Sequence, residues 1–385
     1  MYRAFRRGGL SAAVGLALGL ALLPAEQAHA STFVPCNNIA ALKDAITQAN
    51  MTGEQVVLAS GCTYDLTEID NADNGLPVIT GNVRIVSTGA TIRRSAAATE
   101  FFRIFRVNAG GSLSLTRISI TGGEPSLGDD SGGGIRNSGG TLSMTGGTVS
   151  GNGVEGRGGG IFNDEGAVTL TQTTVEDNGA GRGGGLFNFQ GALTLTQSRV
   201  EDNDVTSDGG GIANSGQLGQ PGRLTLNQTR VEDNDADDFG GGLLNENGST
   251  MTMAGGVLRD NTADLDGGGL ENGPESSASF SGTTITGNTS GGLGGGIYSF
   301  GDSTLRLTSS VVSNNQAISG GGIYDLQSTT TLVGTRVTAN LATAGPGNGG
   351  GIFDDGGEVL LTGSRVTSNI PDNCAPPGNI PGCTG

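Results

Sequence analysis

Aliphatic residues alternate with threonine and serine along most of this chain, in short runs such as Val168-Thr169-Leu170-Thr171 and Leu193-Thr194-Leu195-Thr196. A period of two marks strands that bury one face. Each run follows three glycines and an aliphatic residue. Nine such quartets begin at Gly132, Gly158, Gly183, Gly209, Gly240, Gly267, Gly294, Gly320 and Gly349, with spacings of 26, 25, 26, 31, 27, 27, 26 and 29 residues. Self-similarity at such a period predicts stacked repeats. In one repeat, Ile161, Asn163, Val168, Leu170 and Val175 point inward, while Phe162, Thr169 and Thr171 point outward. Asn178 closes the repeat three residues after Val175, and Asn152, Asn203, Asn234, Asn261, Asn288, Asn315, Asn340 and Asn369 hold the same place elsewhere. An asparagine recurring once per coil predicts a stack of amides that satisfies buried polar groups at a turn.

The ends read differently. Ile39, Leu42, Ile46 and Ala49 share one face of a predicted helix, capped by Asn37 or Asn38, with Asn50 near its end. Such a helix would cover the open edge of a strand stack. Val83–Val86, Ile104–Val107 and Leu113–Leu115 read as irregular first coils, and residues 121–131 as a loop. A leucine-rich repeat would embed its asparagine in Leu-x-x-Leu-x-Leu, and a calcium-binding roll would repeat every nine residues; neither fits. The predicted fold is all-β, a right-handed parallel β-helix (solenoid) with an N-terminal helical cap. Its divisions are 1–30, a signal peptide; 31–82, cap and first strands; 83–369, β-helix repeats; and 370–385, a C-terminal cap.

The leader reading rests on Arg3, Arg6 and Arg7 before an apolar run from Leu10 to Pro24, with Ala28 and Ala30 before Ser31. Arg6-Arg7 also admits a twin-arginine signal, though its flanks match poorly; ordinary secretion is the plainer reading. No second apolar segment follows, so the mature chain is expected to be secreted and extracellular, without a membrane span. Removing the leader takes away the only histidine, His29, and leaves 36 acids against 17 bases, a net charge near −19. That balance excludes nucleic acid as a partner and suits cations or solubility. Cys36, Cys62, Cys374 and Cys383 fall into two pairs at opposite ends, predicting disulfides Cys36–Cys62 and Cys374–Cys383.

Gly-Gly-Gly-Ile/Leu paired with Val/Ile-x-x-Asn resembles the paired motifs of chlamydial polymorphic membrane protein repeats. Cys36, Leu42 to Ile46, Ala49-Asn50, Gly61 and Thr63 to Leu66 resemble the N-terminal region of secreted CSLREA-type bacterial β-helix proteins. Together the resemblances cover nearly all of residues 36–369. They imply the pectin-lyase-like β-helix fold, which serves adhesins, passenger domains and polysaccharide-cleaving enzymes alike. Unlike the membrane-anchored members, the sequence through Gly385 shows no β-barrel or sorting signal.

The candidate chemistry is acidic. Asp177, Asp202, Asp233 and Asp260 take one position in four successive coils, beside Glu176, Glu201 and Glu232; Asp204, Asp208, Asp235, Asp237, Asp238, Asp264 and Asp266 follow in the next turns. Two carboxylates one coil apart repel by about 3–4 kcal/mol at an effective dielectric of 20. Asp202, Asp204, Asp233, Asp235 and Asp260 are therefore candidate ligands for calcium. The alternative is a solvated turn laced by Arg199–Glu201 and Arg230–Glu232 ion pairs. In an enzyme, Asp202, Asp233 and Asp260 would supply paired carboxylates and Arg230 a base. Without histidine, a Ser-His-Asp site is excluded. Gly151, Gly153 and Gly156 match a dinucleotide-binding spacing but lack its strand-then-helix setting.

Phe162, Phe187, Tyr298, Tyr324 and Phe353 recur at one outward position. They read either as a platform for sugar rings or as rings folded under the adjoining glycine loops. Outward threonines resemble an ice-binding face, but Arg306, Val333 and Leu360 interrupt it. The functional expectation is a secreted β-helix protein that recognises an extracellular polysaccharide or cell-surface ligand through an acidic, calcium-binding face. A polysaccharide lyase or glycoside hydrolase, and an adhesive structural protein, are the alternatives.

Overall fold

The computed structural model describes residues 31–125, 131–217 and 219–384. The leader expected at 1–30 lies outside them, as does part of the loop at 121–131. The described chain winds into a parallel β-solenoid of about twelve turns. A representative turn runs through Ile161–Asp164, Ala167–Thr171, Thr174–Glu176 and Gly179–Arg182. Each strand pairs in parallel with its counterparts one turn away, so Ile161 sits between Ile135 and Leu186. The strands stack into sheets of 11, 21 and 7 strands. The first contains the strand after each triple glycine. The second takes two segments from every turn, bent at residues such as Gln172, Gln197 and Gln228, whose φ values are 51°, 51° and 49°. The third is the short Gly179–Arg182 series.

Ile161, Val168, Leu170 and Val175 are each at most 1 % exposed, and they belong to one continuous core running from Val34 to Ile380. Helix α1 (Ile39–Thr52) begins at Asn38, whose side chain accepts from the Ala41 N–H at 3.0 Å, and ends at Gly53 in the left-handed region. Its Leu42, Ala45, Ile46 and Ala49 are buried. Asn50 fastens it to the first turns, donating to Val78 O at 2.8 Å and accepting from the N–H groups of Thr80 and Gly81. Both disulfides pair as expected, Cys36–Cys62 and Cys374–Cys383.

The asparagine column forms a continuous hydrogen-bonded ladder. Asn234 Nδ2 donates to Asn261 Oδ1 at 2.9 Å, to Val200 O at 3.0 Å and to Glu232 O at 3.0 Å. Its Oδ1 accepts from Asn203 Nδ2 at 2.9 Å and from the Asn203 N–H at 3.1 Å. The same pattern runs from Asn152 to Asn369. The triple glycine serves this ladder. A Cβ on its third member, Gly160, would lie 3.2 Å from Asn178 Cγ and 2.6 Å from Gly185 O. Its first member, Gly158, turns the chain at φ +69°.

A second ladder lies at the inward asparagine of the first sheet. Asn137, Asn163, Asn188, Asn214, Asn245 and Asn272 link side chain to side chain at 2.7–3.0 Å. It then changes chemistry: Asn272 donates to Ser299 Oγ at 3.2 Å, and the next rungs are Asp325 and Asp354, both buried. Asp325 accepts from Thr330 Oγ1 and from the Ser328 N–H. Burial nevertheless holds its carboxyl above the usual aspartate value, with the charge of Asp354 adding to the effect.

Two outcomes follow. Asn234→Ala removes an amide with five hydrogen-bonding contacts and strands buried partners, so chemical denaturation should show a loss on the order of 3 kcal/mol; an unchanged midpoint refutes the ladder's role. Because the folded state holds the Asp325 proton more tightly than the unfolded chain, Asp325 weakens the fold as pH rises above the ordinary aspartate range. Asp325→Asn should therefore raise the melting temperature at pH 7 and leave it nearly unchanged near pH 3. A gain of equal size at both pH values would refute the ionisation argument.

Candidate functional site

The expected acidic column exists, and its backbone explains it. Asp177, Asp202, Asp233 and Asp260 sit at one corner with φ of 53°, 53°, 57° and 54°. Elsewhere Gly151, Gly287, Asn314, Ala339 and Ser368 hold this left-handed corner. Aspartate is among the few side chains that tolerate it. Asn203, Asn234 and Asn261 keep the aspartates in register. Asp202, Asp204, Asp233, Asp235 and Asp260 are all exposed. Among the described residues, no three acidic, histidine or cysteine side chains converge as a metal-ligand set. Burial, then Asp260 and Asp202, raises the Asp233 carboxyl; burial, then Asp204 and Asp264, does the same at Asp235.

The strand leading into this corner carries the compensating charge. Glu232 is buried and accepts from Arg230 Nε at 3.0 Å and Nη2 at 2.8 Å, from Arg199 Nη2 at 2.7 Å and from Arg259 Nη2 at 2.7 Å. The Arg230 hydrogen bonds, partly offset by burial, hold its carboxyl below the ordinary glutamate value. Arg199 also bridges to Glu201. Both ion pairs of the solvated-turn reading are therefore present. Arg230, the expected catalytic base, is committed to Glu232. Arg259 Nε approaches Asp260 to 3.2 Å, but its angle is too poor for a hydrogen bond.

The denser constellation lies on the outer face of the first sheet. Register aligns Arg106, Arg136, Phe162, Phe187, Ala213, Leu244, Glu271, Tyr298, Tyr324 and Phe353 in one outward column. Phe162, Phe187, Tyr298 and Tyr324 are each at most 7 % exposed, so they form a floor rather than an open platform; Phe353 is half-buried. Flanking columns cover them. Residues immediately before the triple glycines, including Arg157, Arg182, Asp208 and Asp266, line one side; Phe189, Glu246, Phe300 and Asp355 line the other. Phe162 and Phe187 stand 5.7 Å apart, Tyr298 stacks on Phe300 at 4.8 Å and Tyr324 on Phe353 at 4.9 Å.

A cleft of about 850 Å³ opens on this face between Arg157, Arg182, Phe189, Gln217, Pro221 and Glu246. Its wall comes from the longest repeat. Asn214 Nδ2 reaches Gly222 O eight residues on, whereas Asn188 reaches Gly191 only three on. Gly216, Gln217, Gly219 and Pro221 from this segment line the cleft. A second cleft of about 850 Å³, on the third sheet, is lined mainly by small apolar groups such as Val154, Ala180 and Val205.

Electrostatics grade along the outer face. Arg157 is exposed and lies over Phe187 at 5.3 Å and Phe189 at 5.8 Å, with no carboxylate partner among the described residues. Burial, then the charges of Arg103 and Arg106, lowers the Arg136 guanidinium. Arg182 stands between Asp208 and Glu246, 2.8 Å from each, although its Nε meets Asp208 at a poor hydrogen-bonding angle. Burial opposes its charge, and Glu246 and Asp208 more than restore it. Beyond it lies Glu271, 7 % exposed, whose Oε2 is buried without a hydrogen-bond partner. Burial, reinforced by Asp208, Asp266 and Glu246, pushes its carboxyl well above the ordinary value. Burial, then Asp266 and Glu271, likewise raises the Tyr298 phenol.

The outward aromatics were legible in the sequence; Arg157, Arg182, Glu246 and Glu271 were not singled out there. Asp208 and Asp266 were grouped with the corner acids, yet they belong to this other face. The available signals were a charged residue directly before a triple glycine and a glutamate interrupting an aromatic slot.

Neither a protein-family model nor a curated protein sequence matches the chain. Among solved structures, it is similar to the A-module of the Azotobacter vinelandii mannuronan C-5 epimerase AlgE6, at 14 % identity and a TM-score of 0.51, over 88 % of this chain and 95 % of that one. It is also similar to the Dettilon tailspike protein, at 13 % identity and a TM-score of 0.43, over 86 % and 68 %. The likeness to the epimerase module is one of fold.

Proposed function

We propose that this is a secreted, right-handed β-helix protein that recognises extracellular polysaccharide along the outer face of its first sheet, and that the polymer carries uronate carboxylates. The observation that carries this reading is Arg157. Its exposed guanidinium lies over Phe187 and Phe189 at the mouth of the cleft and has no acidic partner among the described residues. An aromatic wall with a free cation suits a sugar ring bearing a carboxylate. The chain carries a net charge of −17, yet Arg157 places a positive charge at the mouth of this cleft, where it offsets repulsion of an acidic ligand. The mannuronan for which the similar epimerase is named is a polymer of this chemical class. No helix among the described residues is long and apolar enough to cross a membrane, and two disulfides suit an oxidising compartment.

Calcium at the corner column is not part of this reading, because exposed aspartates that converge on no common point form no cage. The column instead acts as a repelling edge, tempered by the arginines around Glu232.

Polymannuronate and polygalacturonate should bind, a neutral glucan should bind weakly or not at all, and added salt should weaken the acidic polymers. Arg157→Ala should lower their affinity by about 10- to 100-fold, the worth of a charge-assisted hydrogen bond. Equal binding of neutral and acidic polymers, unaffected by this substitution, sinks the uronate reading. For the corner, Asp233→Asn should raise the melting temperature slightly at pH 7 and calcium should leave it unchanged. A calcium-dependent rise that Asp233→Asn abolishes would restore the metal site.

A further inference from the structure

We infer that this chain binds a second copy of itself end to end, the strand Glu358–Thr362 of one copy pairing in parallel with the strand Ser31–Val34 of the next. The inference uses only the ends of the rod and is independent of the polysaccharide reading. It starts from how unevenly those ends are closed. At the C-terminal end, Cys374–Ala375 completes the first sheet against Ile352 and Phe353, and Ile370 bridges to Leu341 of the third. Among the described residues no strand does the same for the second sheet, where Glu358–Thr362 pairs only with Thr329–Val333 of the turn before. Leu361 faces inward there yet is only partly buried, whereas Leu332, its counterpart one turn back, is fully buried. At the N-terminal end, Asn37 Oδ1 covers one segment of the same sheet by accepting from the Asp65 N–H at 3.0 Å. The other segment ends in Ser31–Val34, which among the described residues pairs only with Gln55–Leu58. One open edge therefore stands at each end of one sheet. Such an edge is a template for a further strand.

The two edges match in hydrogen-bond phase and in side-chain face. Along a strand in a parallel ladder, alternate residues direct their N–H and C=O to opposite sides. The Glu358 N–H donates back to Ser328 O, and Thr362 O accepts from the Gly334 N–H, so Val359 and Leu361 aim their backbone groups away from the rod. Val34 O accepts from the Ala59 N–H, so Ser31 and Phe33 aim theirs outward at the other end. Setting Phe33 of one copy opposite Leu360 of its neighbour satisfies both phases. The Phe33 N–H then meets Val359 O, and the Leu361 N–H meets Phe33 O. The same register continues the inner face, with Val359 and Leu361 in line with Thr32 and Val34. On the outer face it lays Phe33, 62 % exposed, beside Leu360, 42 % exposed. Two more exposed large apolar side chains, Met51 and Ile370, stand near the same two ends. Because the strands run parallel throughout, the contact is head-to-tail and lengthens the rod. On the polysaccharide reading, each added copy repeats the Arg157 cleft along one axis.

Sedimentation velocity of the secreted chain over a range of concentration and salt tests this, with electron microscopy of the particles formed. Rods that lengthen along their axis as concentration rises are expected. Salt should promote them, because the chain carries a net charge of −17. Phe33→Lys and Leu360→Lys should each raise the dissociation constant by about 10-fold or more, the worth of one buried apolar side chain. Both sites are exposed in the single copy, so its melting temperature should not change. Phe33→Pro should act likewise by removing an outward N–H. In one chain, Phe33→Glu together with Leu360→Lys should restore association, since the two positions become cross-strand neighbours of opposite charge. A chain that stays monomeric at every concentration and salt overturns the inference. So does association that Leu360→Lys abolishes and Phe33→Lys leaves intact, which signals pairing of like ends. A closed dimer, or a folded double variant that stays monomeric, overturns it as well.

Discussion

The rest of the molecule depends on a buried primary amide that must be satisfied once per turn. Each ladder asparagine closes a corner by sharing the two hydrogens of its amide among backbone carbonyls of its own and the preceding turn and the side chain of the next asparagine. An unpaired amide there would cost more than one hydrogen bond is worth, because the group would be desolvated and unsatisfied. This explains why glycine and asparagine recur together. The third glycine of each triplet packs against the asparagine of its own turn, and any side chain there would press on the amide or on the next turn's backbone. Two motifs about eighteen residues apart in sequence are a single device in space.

Once that device fixes register, every surface position becomes a column, and chemistry accumulates by repetition. Repetition alone is weak evidence of a site. The corner aspartates are stacked because four turns used the same left-handed solution at the same corner, and other turns used glycine, asparagine, alanine or serine there. The outer face of the first sheet differs in kind. Its column passes from arginine through phenylalanine and leucine to glutamate and tyrosine, and an enlarged turn raises a wall beside it.

Much of the fold was legible because period, inward aliphatics and Val175-type positions three residues before an asparagine are local facts. The first ladder, the disulfide pairing and the helix face of Leu42, Ile46 and Ala49 were all readable from spacing. The second ladder was less visible. Asn163 was recognised as inward, but its column ends in Ser299, Asp325 and Asp354, so the residue type is not constant and the series hides itself. The site was harder still. Asp208 and Asp266 look in sequence like more of the same acidic turns as Asp204 and Asp264. A rotation of the chain of only a few residues places them on another face, beside Glu246 and Glu271 from other strand positions. Sequence distance carries no trace of that convergence.

Glu271 and Asp325 show why the direction of a departure matters as much as its identity. Both put a carboxylic acid where neighbouring turns do not, both are buried, and burial raises both above their ordinary values. Asp325 faces inward, replaces an amide in a ladder, and still finds Thr330 and Ser328 as partners; it can act on nothing but the stability of its own turn. Glu271 faces outward, with one oxygen unpaired, amid charges that belong to three other turns. The scaffold tolerates a costly group in either place because the ladders and the aliphatic core extend through many turns above and below it. On the outer face that tolerance leaves a carboxyl oxygen buried without a hydrogen-bond partner.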